Sequence, residues 1–239
     1  EEYPVFLESY EKPKRQALRI NPIKGTVQEI RGKLPFSLEE IPWEKNGFCY
    51  GAEDAPGKHP YHEAGVYYIQ EPSAMAPVGY LMNEMEEAGA GERILDLCAA
   101  PGGKSTQIAA AMYEAVKSGE WSEQGILISN EIHPARAKIL SENIERMGVT
   151  NAVVTNESPA HLAERFASYF TRILVDAPCS GEGMFRKNED ACEEWSEENV
   201  MLCADRQDEI LDCAAQMLSP GGRLVYSTCT FAPQENEGS

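Results

Sequence analysis

Residues 95–104, with the sequence LDLCAAPGGK, decide the fold of this 239-residue chain. The apolar positions that lead into this stretch predict a short buried strand, and Pro101-Gly102-Gly103 predicts a sharp turn into a helix. Backbone N–H groups at the start of such a helix can hold an anionic group such as a carboxylate. The stretch therefore predicts a cofactor loop between a strand and a helix.

Regular alternation of strands and helices continues on the C-terminal side of this loop. We predict strands at 93–97, 125–130, 152–155, 172–176 and 222–228, and helices at 103–117, 134–147, 159–168 and 199–218. This alternation indicates βαβ units and a parallel sheet that is covered on both faces. The expected fold class is α/β, a Rossmann-like, doubly wound, mostly parallel sheet. Such a sheet usually has more strands, so we expect its last strands to lie beyond Ser239.

The first part of the chain has a different character, and we expect a division into residues 1–70 and residues 71–239. Predicted elements are a helix at 3–11 and short strands at 16–21 and 48–50, while prolines make 32–65 loop-rich. A strand near 66–69 is expected to lead into a helix that Ser73 caps and that runs to about Met85. Residues 1–70 are therefore predicted to form a small α+β extension.

Two cysteine motifs, DAPC at 176–179 and STC at 227–229, each follow a short apolar strand. If these strands are parallel neighbours, Cys179 and Cys229 emerge at one edge of the sheet, where α/β proteins bind their ligands. A cofactor loop with two convergent thiols indicates covalent chemistry on a ring that needs a nucleophile. The alternative for a cysteine is an inert buried thiol. We adopt that interpretation for Cys49, Cys192, Cys203 and Cys213.

Three interpretations of the loop compete. A phosphate-binding P-loop requires a glycine where this chain has Cys98, and the dinucleotide fingerprint GxGxxG is absent. A turn that only joins a helix to a strand stays possible. The third is an S-adenosylmethionine site, in which the helix N-terminus holds the carboxylate and Glu131, after the next strand, accepts the ribose hydroxyls.

Composition limits the class of protein. No apolar stretch approaches the roughly 20 residues that span a bilayer. The seven cysteines include no CxxC pair, which favours reduced thiols in the cytoplasm and indicates no metal site. Nothing in the sequence requires more than a monomer.

Charge is distributed unevenly along the chain. The net charge is −18, yet residues 12–33 carry seven basic side chains against Glu29 alone. This basic segment is either a solvated face or an arm that contacts phosphates. Its basic residues are Lys12, Lys14, Arg15, Arg19, Lys24, Arg31 and Lys33.

The two cysteine motifs and the cofactor loop together resemble the Nop/Sun family of RNA cytosine-5 methyltransferases. The runs GMFRK at 183–187 and YIQEPSAM at 68–75 look most like its bacterial, RsmF-type branch, which acts on small-subunit ribosomal RNA. The resemblance implies a Rossmann-like methyltransferase domain behind an RNA-binding N-terminal extension, with S-adenosylmethionine as cofactor and RNA as substrate.

The resemblance also implies roles for particular residues. Cys229 would be the nucleophile, Cys179 would assist product release, and Asp176 would lie where the cofactor and the target base meet. A separate hypothesis comes from position in the sequence: Arg186 and Lys187, in the loop after the first thiol, supply positive potential that helps the nucleophile to ionise, or Lys187 contacts phosphate instead. The implied cofactor residues are Cys98, Ala99, Ala100, Pro101, Gly102, Gly103, Lys104, Glu131 and Asp176, with either Asn156 or Ser158 near the adenine.

Rival functions make different predictions. A DNA cytosine-5 methyltransferase would use Cys179 as its nucleophile and would not need Cys229. An assembly factor that binds RNA without turnover would need neither thiol.

Overall fold

The computed structural model describes residues 2–12, 14–83, 91–122, 125–185 and 190–239, which form two β-sheets with flanking helices. Among the helices in these ranges, none combines the length and the apolar character needed to cross a bilayer.

The first sheet is antiparallel and has the strand order β2-β3-β1-β4. Its strands are β1 (Gln16–Ile20), β2 (Leu38–Ile41), β3 (Glu44–Tyr50) and β4 (Tyr67–Ile69). The prediction that 32–65 is mainly loop was wrong, because β2 and β3 form a hairpin there. Pro42 lies in the two-residue turn between these strands, so it removes no hydrogen bond from the sheet.

The second sheet is parallel throughout and has the order β7-β6-β5-β8-β9. Its strands are β5 (Arg93–Asp96), β6 (Ile126–Asn130), β7 (Ala152–Thr155), β8 (Phe170–Asp176) and β9 (Leu218–Ser227). The order reverses direction at β5, as in doubly wound folds. The predicted α/β, Rossmann-like class is therefore confirmed.

The helices follow the predicted alternation closely. They are α1 (Tyr3–Glu11), α2 (Val27–Arg31), α3 (Pro60–Glu63), α4 (Ala76–Met82), α5 (Gly103–Ser118), α6 (Pro134–Met147), α7 (Pro159–Arg165), α8 (Asp190–Glu194) and α9 (Glu197–Met217). Ser73 does not cap a helix as predicted, since a 3₁₀ turn at Ser73–Met75 precedes α4. Pro77 lies in the first turn of α4, the one place in a helix where a missing N–H costs little. Met85, the predicted helix end, lies outside the described residues.

Alternate residues of the parallel strands point to opposite faces of the sheet and build two apolar cores. On one face, Ile94 and Leu127 pack against α4 and α5. On the other, Leu95 and Ile128 pack against α7 and α9. Helices on both faces leave the carboxyl ends of the strands as the open edge.

Buried polar contacts join the first sheet to the start of α5. The Arg19 guanidinium, fully buried on β1, donates to Gln70 Oε1 at 3.0 Å, to Gly103 O at 3.1 Å and to Thr106 Oγ1 at 2.9 Å. Burial lowers the pKa of Arg19 to about 10. Arg19 therefore packs against the start of α5 and holds the cofactor loop in place. It is not available to phosphates, so the prediction that it belongs to a phosphate-contacting arm was wrong for this residue.

A second junction lies between β1 and the end of α6. Asn21 Nδ2 donates to both Gly65 O and Met147 O at 2.8 Å. Gly65 has a φ of +66°, and a Cβ atom there would lie 2.0 Å from Arg146 O. Only glycine allows this close approach of the two backbones.

Candidate active site

The two cysteine motifs meet at the carboxyl edge of the parallel sheet. Strands β8 and β9 pair in register, with Asp176 opposite Ser227, so the residues that follow them leave the sheet side by side. The sulfur atoms of Cys179 and Cys229 lie 3.2 Å apart. Cys229 is exposed and Cys179 is half-buried. The juxtaposition predicted from the sequence is therefore present.

The thiol pair carries an ionisable proton near neutral pH. The hydrogen bond with the Cys229 thiol, helped by the Cys229 backbone N–H at 3.3 Å, lowers the pKa of Cys179 to about 7, although burial acts in the opposite direction. Because the sulfurs share this hydrogen bond, loss of one proton from the pair creates a thiolate, the reactive form of cysteine.

Cys98 differs from this pair. Burial raises the pKa of Cys98 to about 12, so its side chain stays a thiol at neutral pH. This agrees with a role in lining the cofactor loop.

Asp176 lies between the cofactor loop and the thiols. Its Oδ2 accepts from Lys104 Nζ at 2.6 Å, and its Oδ1 accepts from Ser227 Oγ at 2.8 Å. Lys104 belongs to the first turn of α5, and Ser227 is the last residue of β9. Ser227 was not predicted as a site residue, although its register opposite Asp176 explains its position. The carboxylate thus joins the cofactor loop to both thiol-bearing strands.

A cavity of about 940 Å³ opens beside this carboxylate. Of the predicted cofactor residues, Cys98, Ala100, Glu131 and Asp176 line it. Ser158 also lines the cavity, whereas Asn156 Nδ2 donates to the backbone carbonyls of Glu131 and Ile132 at 2.6 and 2.9 Å.

The remaining residues of the loop shape it from outside the cavity. Ala99 is buried against Leu140 of α6, and Pro101 is exposed. Gly102 has a φ of +111°, and a Cβ atom there would lie 3.1 Å from Leu140 Cδ1, so glycine allows both the turn and the close packing of α5 on α6. Gly103 begins α5.

Asp96, at the end of β5, belongs to the loop motif but is not among the predicted site residues. Its Oδ2 accepts from Ser105 Oγ at 2.7 Å, while its buried Oδ1 has no hydrogen-bond partner among the described residues. Burial raises the pKa of Asp96 to about 7. An unpartnered buried oxygen at the base of the loop is suited to a donor from a ligand.

The remaining predictions concern residues outside the thiol pair and the cofactor loop. Arg186 and Lys187, the predicted sources of positive potential, lie outside the described residues. Cys203 is buried on α9, as expected of an inert thiol, but Cys192 is exposed, so its assignment to the core was wrong. Cys192 lies on α8, a five-residue helix too short to bury a full face.

The fold and the site define a class, a Rossmann-like methyltransferase domain with two thiols at its open edge. Residues 84–239 match the family described as 16S rRNA methyltransferase RsmB/F, and residues 1–72 match the N-terminal domain of 16S rRNA methyltransferase RsmF. The chain therefore belongs to the RsmB/F family of 16S rRNA methyltransferases, which confirms the resemblance seen in its motifs. Membership of a methyltransferase family also confirms S-adenosylmethionine as the predicted cofactor.

Individual relatives agree with this assignment. The chain is 38% identical over 238 residues to ribosomal RNA small subunit methyltransferase F of Vibrio parahaemolyticus and 40% identical to that of Serratia proteamaculans, in each case over 97% of this chain. It covers 47% of each of these proteins, so it spans about half the length of the curated relatives that it matches.

A solved structure gives the same answer for the fold. A methyltransferase homolog from Pyrococcus horikoshii superimposes with a TM-score of 0.82 at 31% identity, over 100% of this chain and 72% of the other.

Proposed function

We propose that this protein transfers a methyl group from S-adenosylmethionine to carbon 5 of a cytosine in RNA, and that the RNA is small-subunit ribosomal RNA. The observation that carries the proposal is the pair of thiols 3.2 Å apart, next to an aspartate that is hydrogen-bonded to the cofactor loop. Relatives named as ribosomal RNA small subunit methyltransferases support the choice of RNA.

The chemistry requires a nucleophile because carbon 5 of cytosine is a weak one. A thiolate that adds to carbon 6 forms an S–C bond and turns the ring into an enamine, so that covalent catalysis divides one hard step into easier ones. The cofactor supplies the electrophilic methyl group, which carbon 5 takes. The group that assists elimination then takes the carbon 5 proton, and the double bond is restored as the S–C bond breaks and the nucleophile leaves as a thiolate.

Asp176 is the proposed partner of the ring nitrogen. Nitrogen 3 is a hydrogen-bond acceptor, so its partner must donate, and we propose that Asp176 does this as a carboxylic acid. The donated hydrogen bond or proton stabilises the charge that develops during addition. Lys104 and Ser227 hold the two oxygens of Asp176, and this fixes the carboxylate beside the thiols before substrate arrives. Lys104 Nζ also forms an ion pair with this carboxylate at 2.6 Å, so it is placed to balance charge at the ring.

Either sulfur of the shared hydrogen bond can carry the negative charge, so we assign roles from the family resemblance. Cys229 is the proposed nucleophile, and its exposure leaves it open to a base that has been turned out of its stack. Cys179, which is half-buried behind it, is the proposed group for elimination and product release.

The residues of the cavity fit S-adenosylmethionine. Glu131, directly after β6, is 3% exposed and lines the cavity, where it can accept the ribose hydroxyls. The unpartnered Asp96 Oδ1 lies at the base of the adjoining loop, outside the cavity lining, and suits the donor of an amino group. We assign the adenine contact to Ser158, since Asn156 already uses its amide on the backbone. Residues 98–104 shape the remainder of the pocket.

The extension, residues 1–70, is the proposed RNA-contacting part. Six of the seven basic side chains at 12–33 are exposed, all except Arg19. Exposed basic side chains in this segment would attract the phosphate backbone. We further propose that the protein works as a monomer in the cytoplasm, where ribosomal subunits mature.

Trapping of the covalent adduct tests this proposal. The full-length protein and its Cys179→Ala and Cys229→Ala variants are incubated with labelled small-subunit RNA and S-adenosylmethionine, then denatured and resolved by electrophoresis. We expect Cys179→Ala to accumulate a denaturation-resistant RNA adduct and Cys229→Ala to form none. Cys192→Ala, a change at an exposed cysteine that is not a member of the pair, is the matched control and should methylate as the unchanged protein does.

Two outcomes would contradict the proposal. An adduct in Cys229→Ala but not in Cys179→Ala would transfer the nucleophile role to Cys179. If the protein binds this RNA and S-adenosylmethionine but transfers no methyl group, it is an assembly factor and not an enzyme.

A further inference from the structure

Two carboxylates connect the loops that carry the thiols, and each reaches from one loop to the other. Glu182, three residues after Cys179, accepts at Oε2 from the backbone N–H of Phe231 at 2.7 Å and from Thr230 Oγ1 at 3.1 Å. Glu235, six residues after Cys229, accepts at Oε2 from the backbone N–H of Ser180 at 2.9 Å and at Oε1 from the Ser180 hydroxyl. The residues that they hold, Ser180 and Thr230, directly follow the two cysteines.

Helix α9 anchors the second of these carboxylates. Gln207, fully buried on α9, donates from Nε2 to Glu235 Oε2 at 2.8 Å and to Pro178 O at 2.9 Å. Pro178 directly precedes Cys179, so Gln207 and Glu235 hold the backbone on both sides of that thiol.

The burial of Glu235 is unusual for a glutamate. It is 0% exposed, and the donors that surround its carboxylate among the described residues are neutral groups. A buried carboxylate is costly unless hydrogen bonds satisfy it, and this one is satisfied by three. Its two acceptor oxygens are therefore used to hold Ser180 and Gln207.

The two loops that carry the thiols also contact each other directly. Gly183 N donates to Cys229 O at 2.7 Å, and Cys229 N donates to Cys179 Sγ at 3.3 Å. A shift of either loop would change the separation of the two sulfurs and their shared hydrogen bond.

We infer that Glu182 and Glu235 are positioning residues that hold Cys179 and Cys229 in register for methyl transfer. Neither carboxylate touches the reacting atoms; they act through Ser180, Thr230 and Phe231. The inference deepens the proposed function and rests on it for its catalytic consequence, but the positioning of the thiols can be measured without methyl transfer.

The hydrogen bonds predict which substitutions are tolerated. The partners of Glu235 Oε2 are two N–H donors, whereas the partner of Oε1 is a hydroxyl that can also accept. In Glu235→Gln the amide oxygen can replace Oε2 and the NH₂ group can donate to Ser180 Oγ. Glu235→Met has a similar size but leaves both N–H donors unsatisfied. The same contrast applies to Glu182→Gln and Glu182→Met, because one oxygen of Glu182 makes both contacts.

The test is the rate of crosslinking between Cys179 and Cys229 in the full-length protein treated with diamide. Diamide takes one hydrogen from each thiol; the S–S bond forms and the N=N bond of diamide is reduced to a hydrazine. Mass spectrometry of non-reduced digests follows the linked peptides. Methyl transfer to small-subunit RNA is measured in parallel, with circular dichroism and S-adenosylmethionine affinity as checks of folding.

We expect the Glu235→Met and Glu182→Met variants to crosslink about tenfold or more slowly and to lose kcat by a similar factor, with unchanged affinity for S-adenosylmethionine. The Gln variants should stay within about threefold of the unchanged protein. Glu237→Met, at an exposed glutamate of the same segment, is the matched control and should have no effect. If Glu235→Met fails to fold, Glu182→Met, at a half-buried position, carries the test.

The outcomes separate this inference from the proposed function. Unchanged crosslinking in both Met variants would overturn the positioning role, as would an equal loss in the Gln and Met variants. Slow crosslinking in the Met variants, together with no methyl transfer by the unchanged protein, would support the positioning role and refute the proposed function.

Discussion

The ionisation of Cys179 provides a direct test of the thiol pair. Its pKa is lowered to about 7 from an ordinary value of 9.0, chiefly by the hydrogen bond with the Cys229 thiol. In Cys229→Ala the largest stabilising contact is lost, while burial, which raises the pKa, remains. We therefore expect the pKa of Cys179 to rise by about one unit or more.

This shift has a measurable size. With a pKa of about 7, half of Cys179 is thiolate at neutral pH, whereas with a pKa of about 8 only one molecule in ten is. The rate of alkylation at neutral pH should fall about fivefold if the thiolate is the reacting form.

Alkylation by iodoacetamide as a function of pH measures this directly. Peptide mass spectrometry follows Cys179 separately from the other cysteines between about pH 5 and pH 10. Cys98 provides an internal check, since burial raises its pKa to about 12 and it should stay unmodified. Cys192→Ala is the control substitution and should leave the midpoint at Cys179 near pH 7.

Two results would refute this reasoning. A midpoint for Cys179 near pH 9 in the unchanged protein would mean that the hydrogen bond does not lower its pKa. A midpoint unchanged by Cys229→Ala would mean that another group lowers it.

Three further predictions concern the cofactor and the stability of the fold. Glu131→Gln removes a buried charged acceptor, so S-adenosylmethionine should bind about 10- to 100-fold more weakly by calorimetry; unchanged affinity would exclude Glu131 as the acceptor of the ribose hydroxyls. Gly65→Ala places a Cβ atom 2.0 Å from Arg146 O at a φ of +66°, and urea denaturation should show a loss of about 1–3 kcal/mol or more; a loss below about 0.5 kcal/mol would contradict the close approach. Arg172→Met leaves the buried Glu92 carboxylate without its cation and should lower the free energy of unfolding by about 3–5 kcal/mol. The double variant Arg172→Met/Glu92→Leu should regain part of this stability, because it removes the unpaired charge as well. A double variant that is less stable than Arg172→Met would contradict this.

The parallel sheet could be predicted closely because its signals are local. A short apolar run and a turn are enough to identify a strand and its end, and the predicted helix at 134–147 matches α6 at both ends. In residues 32–65 the same approach failed. The prolines there predict breaks in regular structure, but Pro42 lies in a hairpin turn that accommodates it.

The partners of the site residues could not be predicted in the same way. Gln207 contacts Glu235 across 28 positions of sequence, and Arg19 contacts Thr106 across 87. An arginine in a basic segment looks like a phosphate contact, and only burial shows that it supports the cofactor loop instead. Asp96 was visible in the loop motif, but its unpartnered oxygen depends on what the fold places around it.

The sequence by itself determined the chemistry of this protein, since the cofactor loop, Asp176 and the two cysteine motifs are contiguous patterns whose residue types indicate what they can do. The tertiary structure alone decided the geometry that makes this chemistry possible: a sulfur separation of 3.2 Å, a carboxylate held by Lys104 and Ser227, and loops held together by Glu182 and Glu235. The physical reason is the separation along the chain over which each kind of interaction acts. Strand, turn and helix preferences act over a few neighbouring residues, whereas the ionisation and alignment of the thiols depend on hydrogen bonds between residues about 50 positions apart, which exist only when β8 and β9 pair in register.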